Sequence, residues 1–271
     1  MSPVEPSPPP RAGAPAAALP ALGGRSSGPA ASARTAVVWE VLSAVLAESD
    51  ASGGGLDVVD AGGGTGGFAV PLARAGHRVT VVDPSPDSLA ALQRRVAEGG
   101  LDGRVTAVQG DLDDLPQLIA TGSVDLLLCH SVLEVVDDPA RALAAASGVL
   151  RPGGRLSLLV ANRAAAVLAR ALAGHPDEAA RALTDPAGRW GPADGVRRRF
   201  DSDQLQALVV DAGLVVEQLH GVRVVADLVP SSVLDTEPGA AAALLSLERA
   251  LSERSPFRDV ATQLHLLAQH P

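Results

Sequence analysis

The sequence predicts an α/β protein built on a doubly wound, Rossmann-like parallel sheet. Three observations carry this expectation. Apolar runs of strand length alternate with segments of helical period from Leu56 to Asn162. The first run, Leu56–Asp60, passes directly into the glycine burst "AGGGTGG". Four successive strands then end in acidic, glycine or histidine residues: Asp60, Asp83, Gly110-Asp111 and His130. Ligands of open α/β sheets bind beyond the carboxyl ends of the strands, so these residues converge on one rim.

The elements follow in order. Residues 1–31 are rich in Pro, Ala, Gly and Ser and predict a disordered tail. A signal peptide fits poorly, because Pro interrupts the start and no continuous apolar stretch follows. Residues 32–271 predict one domain. Its first helix, "SARTAVVWEVLSAVLAES", spaces Val37, Val38, Val41, Leu42, Val45 and Leu46 along one face. After the Leu56–Asp60 strand, Gly67–Ala75 predicts a helix stopped by Gly76. "HRVTVVD" predicts the second strand, Ser85–Ala97 a helix closed by Gly99-Gly100, and "RVTAVQGD" the third strand. "VDLLLCH" is apolar between Asp125 and His130, as a strand buried on both faces requires. Pro139–Leu150 predicts a helix and "GRLSLLVAN" the fifth strand. The alternation then breaks. Residues 163–200 predict a helical cap insertion above the rim, too short for a core of its own. A capped helix from about Ser202, strands in "LVVEQLHGVRVV" and "ATQLHLLAQ", and an Ala/Leu-rich helix over 238–253 complete the chain.

Composition limits the function. The net charge of -9 excludes a generally cationic surface, so a nucleic-acid partner needs a local basic patch. All 22 basic residues are Arg, and Arg189 with Arg197-Arg198-Arg199 is the densest such patch. The single cysteine, Cys129, excludes an internal disulfide framework, fits a cytoplasmic protein and reads as a buried, inert thiol. No apolar run reaches the roughly 20 residues of a membrane-spanning helix. No metal-ligand spacing stands out.

The glycines leave two cofactor classes open. Gly62, Gly64 and Gly66 give G-x-G-x-G, whereas Gly62, Gly64 and Gly67 give the dinucleotide pattern G-x-G-x-x-G. Asp83 suits both, since each cofactor presents ribose hydroxyls to an acid at this spacing. Three features favour S-adenosylmethionine (SAM). Asp60 precedes the turn, where a pyrophosphate would be repelled but an ammonium is welcome. "GDLDDL" places Asp111 for the adenine amino group and Leu112 for the ring. "LRPGGRL" turns a helix into the fifth strand.

In this order, "VVDAGGGTGG", "VVDPSPDSL", "GDL", "LLCHSVLEVVDDP" and "VLRPGGRLSLL" resemble the successive motifs of class I SAM-dependent methyltransferases over residues 34–160. A narrower resemblance runs from Ser32 to Pro271. "ARTAVVWEVLSAVLAE", "CHSVLEVVDDP", "GVRVVADL", "LLSLE" and "QLHLLAQHP" are similar to the bacterial tRNA 5-carboxymethoxyuridine methyltransferase family. The resemblance implies methyl transfer from SAM to the carboxylate of a modified wobble uridine, with tRNA as partner. It implies cofactor contacts at Arg34 (near the methionine carboxylate), Gly62, Gly63, Asp83, Gly110, Asp111 and His130. Asp60, Gly64, Gly66 and Leu112 complete the expected cofactor pocket.

A carboxylate acceptor is ionised at neutral pH and needs no general base. No catalytic side chain is therefore assigned, His130 being the one candidate. Glu134 reads as a helix-start acid. Arg189, Arg197, Arg198, Arg199 and Arg223 are the candidates for the acceptor side. With no Tyr and only Phe68, Phe200, Phe257, Trp39 and Trp190, the chain is poor in stacking groups for an unpaired base. A small carboxylic or hydroxylic metabolite is therefore the alternative acceptor, and a SAM-binding protein without turnover is the alternative class.

Overall fold

The computed structural model describes residues 29–50 and 54–271. Of the expected tail, residues 1–28 lie outside this range; residues 29–31 open the first helix, α1 (Pro29–Asp50), which begins at Pro29 rather than near Ser32. Pro is tolerated in the first turn of a helix, where its missing N–H has no partner to lose.

Next come β1 (Asp57–Ala61), α2 (Ala69–Arg74), β2 (Arg78–Asp83), α3 (Pro86–Glu98) and β3 (Val105–Gln109). The short α4 (Leu115–Leu118), β4 (Val124–His130), α5 (Pro139–Val149) and β5 (Leu150–Ala161) close the alternating part. Beyond it lie α6 (Arg163–Leu172), α7 (Pro176–Thr184), α8 (Ser202–Asp211) and β6 (Val215–Val222). The chain ends with α9 (Ser231–Thr236), α10 (Ala240–Ser252) and β7 (Gln263–Gln269).

The strands form one sheet in the order β3-β2-β1-β4-β5-β7-β6. The first five pair in parallel, and β7 runs antiparallel between β5 and β6. This is the doubly wound sheet that the alternation predicts. Because β1 lies between β2 and β4, the direction of winding reverses at its carboxyl end. That reversal opens the crevice where such sheets hold ligands.

Local chemistry sets the helix starts. Ser85 accepts the Ser88 N–H and Pro86 opens α3, which buries Leu89, Leu92 and Val96. Asp138 caps α5 by accepting the Ala140 and Arg141 N–H groups, and Asn162 caps α6 through Ala164. Each cap satisfies donors that the first helical turn leaves open. In β4, Leu126, Leu127, Leu128 and Cys129 are fully buried, because helices cover both faces. On one face, Val38, Leu42 and Val45 of α1 share an apolar cluster with α2, α3 and the sheet residues Val58, Leu126 and Leu128. The other packs α5 and α8 against β4, β5 and β7.

The ends of segment 163–200 are stitched together. Phe200 donates its N–H to Ala161 O (3.0 Å), and its own carbonyl accepts the Arg163 N–H (2.9 Å). Its fully buried ring anchors the return of the chain.

Candidate functional site

The turn after β1 is shaped by contacts that exclude side chains. Gly62 has φ +70°, and a Cβ there would lie 2.4 Å from Val132 Cγ2. A Cβ on Gly63 would lie 2.5 Å from the Asp60 carboxyl carbon. Only glycine lets the backbone cross this ground. Asp83 ties the turn to β2: Oδ2 accepts the Gly64 N–H and Oδ1 the Ser85 N–H, both at 2.9 Å. An ionised carboxylate has about four acceptor sites, so capacity remains for two hydroxyls. The neighbouring Gly110 N–H bonds Asp83 O (3.3 Å). Asp111 caps a one-turn helix through the Asp113 N–H (2.9 Å), and Asp114 accepts the Asp111 N–H (3.1 Å). This closed loop of hydrogen bonds orients Asp111 and leaves Leu112 buried.

Gly62, Asp83, Asp111, Leu112, Ser131 and Arg197 line a cavity of about 440 Å³. That size suits a small-molecule cofactor. Ser131 has φ +58°, a conformation uncommon outside glycine, at the point where β4 gives way to the rim.

Two titratable groups beside the cavity are strongly shifted. Asp60 is buried; loss of solvent first, then the nearby Asp83, pushes its carboxyl up to about 7. Its Oδ2 has no hydrogen-bond partner. A buried orphan oxygen beneath the turn favours a cationic group there. His130 is pushed down to about 3 by burial. Its Nε2 lies 2.9 Å from Ser157 Oγ, which lies 2.8 Å from His265 Nε2. The Phe68 ring meets His130 edge-on at 4.6 Å and stacks on Trp39 at 4.8 Å. His130 is thus a neutral imidazole locked into a wall.

The expected residues are not all placed alike. Gly62, Asp83, Asp111 and Leu112 meet at the cavity, with Asp60, Gly63, Gly64 and Gly110 directly behind it. Gly66 lets the turn pack closely on α3, since a Cβ there would lie 2.4 Å from Leu92 Cδ1. Arg34 bonds Asp227 at 3.0 Å from the start of α1. Arg223 bonds the same Asp227 at 2.5 Å. Cys129 is buried and its thiol is pushed up by burial, Glu134 and Asp60. Glu134 accepts the Ala161 N–H at 2.7 Å and holds the end of β5.

The run Arg197-Arg198-Arg199 does not form one solvent-facing patch. Arg197 bonds Val135 O (2.8 Å) and Asp137 (3.2 Å) at the cavity. Arg198 ties down the carbonyls of Leu133, Val136 and Asp137. Arg199 is buried against Asp194 (2.6 and 2.9 Å) and Gly188 O (3.1 Å). The chain before Phe200 sends consecutive side chains in different directions, and each of the three bonds at least one loop carbonyl. Arg189 lies apart, with Arg181, Thr184 and Asp185, in a second cavity of about 550 Å³.

Sequence reasoning missed Ser131, Ser157, His265, Asp227 and Glu248. Each lies within a motif that carries the family resemblance ("CHSVLEVVDDP", "VLRPGGRLSLL", "QLHLLAQHP", "GVRVVADL" and "LLSLE"), but nothing local marks out the individual side chain. Among the described residues no cluster suits a metal ion, and no helix is long and apolar enough to cross a membrane.

Comparison with known proteins agrees with this geometry. Residues 59–158 match the methyltransferase domain family. The chain is 30% identical to the tRNA 5-carboxymethoxyuridine methyltransferase of Escherichia coli (strain K12) over 88% of each chain. It is 32% identical to a ubiquinone biosynthesis O-methyltransferase of Xanthomonas euvesicatoria, over 62% of this chain and 66% of that one. The fold matches an S-adenosylmethionine dependent methyltransferase from Mesorhizobium loti with TM-score 0.59 and 20% identity, covering 89% of this chain and all of the other. The chain is a class I SAM-dependent methyltransferase and belongs to the family of the E. coli tRNA 5-carboxymethoxyuridine methyltransferase.

Proposed function

We propose that the protein methylates the carboxylate of 5-carboxymethoxyuridine at the wobble position of tRNA, giving the methyl ester. One observation carries this reading. Similarity to the tRNA enzyme extends over 88% of the chain, whereas similarity to the ubiquinone O-methyltransferase stops at 62%. The shared methyltransferase core accounts for the second match; the first also reaches the parts that would meet an acceptor.

SAM supplies an electrophilic methyl group on a sulfonium. Asp83 is assigned to the ribose hydroxyls, Asp111 and Leu112 to the adenine, and Asp60 and Gly62–Gly64 to the methionine end. Arg34 stands on the same rim for the methionine carboxylate. The protein's contribution is alignment of the methyl group with the acceptor, where proximity alone supplies much of a rate enhancement.

His130 supports the choice of acceptor. A hydroxyl acceptor must lose a proton, and an imidazole held at about 3 is a weak base for it. A carboxylate needs no such help. Segment 163–200 is assigned to the acceptor side: it carries seven arginines against four acids, in a chain whose net charge is -9. A tRNA substrate places the protein in the cytoplasm.

The test is nucleoside mass spectrometry. Total tRNA from a strain lacking this protein is incubated with SAM and the purified enzyme. A gain of one methyl group on 5-carboxymethoxyuridine is expected. Unchanged tRNA alongside a methylated small metabolite moves the activity to the alternative acceptor class.

A further inference from the structure

Beyond β6, a short loop carries two charged residues that the cofactor pocket does not use. Val222, the last residue of β6, pairs with Gln263 at the start of β7, and Gln263 pairs with Ala161 at the end of β5. Gln263 Nε2 also donates to Ser131 Oγ (3.4 Å), and Ser131 lines the cofactor cavity. Ser131, Gln263 and Arg223 therefore stand in a row along the rim, from the cavity to the sheet edge.

The loop is held rigidly. Glu248 of α10 is fully buried and accepts three consecutive backbone N–H groups: Val224 (3.0 Å), Val225 (2.7 Å) and Ala226 (2.6 Å). No cation pairs with Glu248 among the described residues. Its charge is met by the loop itself, so the helix and the loop are one unit. Arg223 enters this loop at φ +61°, an unfavourable backbone conformation for a side chain of its size. Its Nε is buried without a partner. Asp227, at the far end of the loop, receives Arg223 Nη2, Arg34 Nε and Thr262 Oγ1. Two guanidinium groups thus share one carboxylate, and the cluster keeps one uncompensated positive charge. The Arg223 and Arg34 side chains are 30% and 47% exposed, so both remain open to a ligand.

We propose that Arg223, aimed by Asp227 and by the loop pinned on Glu248, is the group that recognises the acceptor's carboxylate. This rests on the carboxylate reading of the acceptor given above. A guanidinium fork matches a carboxylate in shape as well as charge. Glu248 is a positioning residue that acts through the loop. The arrangement also bears on turnover. Esterification removes the charge that Arg223 recognises, so the product ester is held less tightly than the acid.

The experiment compares wild type, Arg223→Gln and Arg223→Lys on tRNA bearing 5-carboxymethoxyuridine. Binding is also measured to that tRNA and to tRNA carrying the methyl ester. Wild type is expected to prefer the acid. Arg223→Gln is expected to lower kcat/KM for tRNA about ten- to hundredfold, chiefly through KM, and to bind acid and ester alike. Its calorimetric affinity for SAM, which also reports folding, is expected to stay at the wild-type value. Arg223→Lys, which keeps the charge without the fork, is expected to fall between the two. A wild-type kcat/KM in Arg223→Gln, or an unchanged preference for acid over ester, overturns the subsite while leaving the tRNA reading intact. If Arg223→Gln fails to bind SAM, Arg223→Lys decides: loss of the acid preference in a folded Lys variant overturns charge recognition. Wild-type protein that transfers nothing to tRNA overturns the acceptor reading, and the subsite with it.

Discussion

The Asp60 carboxyl lies directly beneath Gly63, so close that a single methyl group on Gly63 would sit 2.5 Å from its carbon. Strand and turn are therefore locked together, and the lock sits under the methionine end of the proposed cofactor position. Gly63→Ala forces either the turn or the buried acid to move. It is expected to weaken SAM binding at least tenfold and to lower stability by about 1–3 kcal/mol, as overpacking does. Calorimetric titration with SAM and urea melts check both. Wild-type SAM affinity in the Ala variant would remove this turn from the cofactor site.

Asp60 also makes a pH prediction. Its carboxyl is raised to about 7 in the folded protein from 3.8, so the native state holds this proton more tightly than the unfolded chain. This group's contribution to stability therefore falls as pH rises from its unfolded value to about 7. The cofactor's ammonium favours the anion, so SAM affinity is expected to rise as pH passes upward through about 7, with uptake of ligand releasing a proton. Asp60→Asn is expected to lose that rise. Calorimetry on both sides of this pH, in buffers of different ionisation enthalpy, measures the effect. A pH-independent affinity in wild type would show that Asp60 does not sense the ligand.

Arg199 and Arg197 separate structure from function. Arg199→Ala leaves Asp194 buried without its counter-ion, and breaking such a pair costs about 3–5 kcal/mol. The expected result is a large drop in the denaturation midpoint. Arg197 is exposed, and its ion pair with Asp137 faces solvent. Arg197→Ala is expected to melt like wild type, because exposed pairs contribute at most about 1 kcal/mol. Equal melting curves for the two variants would contradict the division of the arginine run.

His130 is expected to stay neutral throughout the working pH range. Because its value is lowered to about 3, the cation appears only when pH falls toward that figure. The imidazole resonances of His130 should therefore not shift across the ordinary histidine range near 6.5. The pH–rate profile should show no limb there that His130→Gln removes. Such a limb would make His130 a proton acceptor and favour a hydroxyl substrate.

The central sheet was legible because its signals are local. Each of β1 to β4 is a short run ended by an acid, glycine or histidine, and two of the intervening helices, α3 and α5, carry side-chain caps, Ser85 and Asp138. The glycine turn and Asp83 were legible for the same reason: one turn and one strand end suffice. What escaped depends on distant partners. Ser157 and His265, bonded together under His130, are 108 positions apart. Arg34 and Asp227, which share a rim contact, are 193 apart. The arginine run misled because sequence shows charge but not the carbonyls and the buried Asp194 that consume it. β5 starts at Leu150 rather than Gly154, because Leu150 already pairs with Val124 of β4; the chain then turns through Gly153 (φ +78°) before regular pairing resumes at Arg155.

The account stands most directly on where the methyl group goes. Purified enzyme is given SAM labelled in the methyl group and total tRNA from a strain lacking this protein, and the labelled tRNA is then treated with mild alkali. The account predicts label in tRNA that alkali releases as methanol, as a methyl ester requires. Label that survives alkali, or none in tRNA while SAM is still bound, would contradict it.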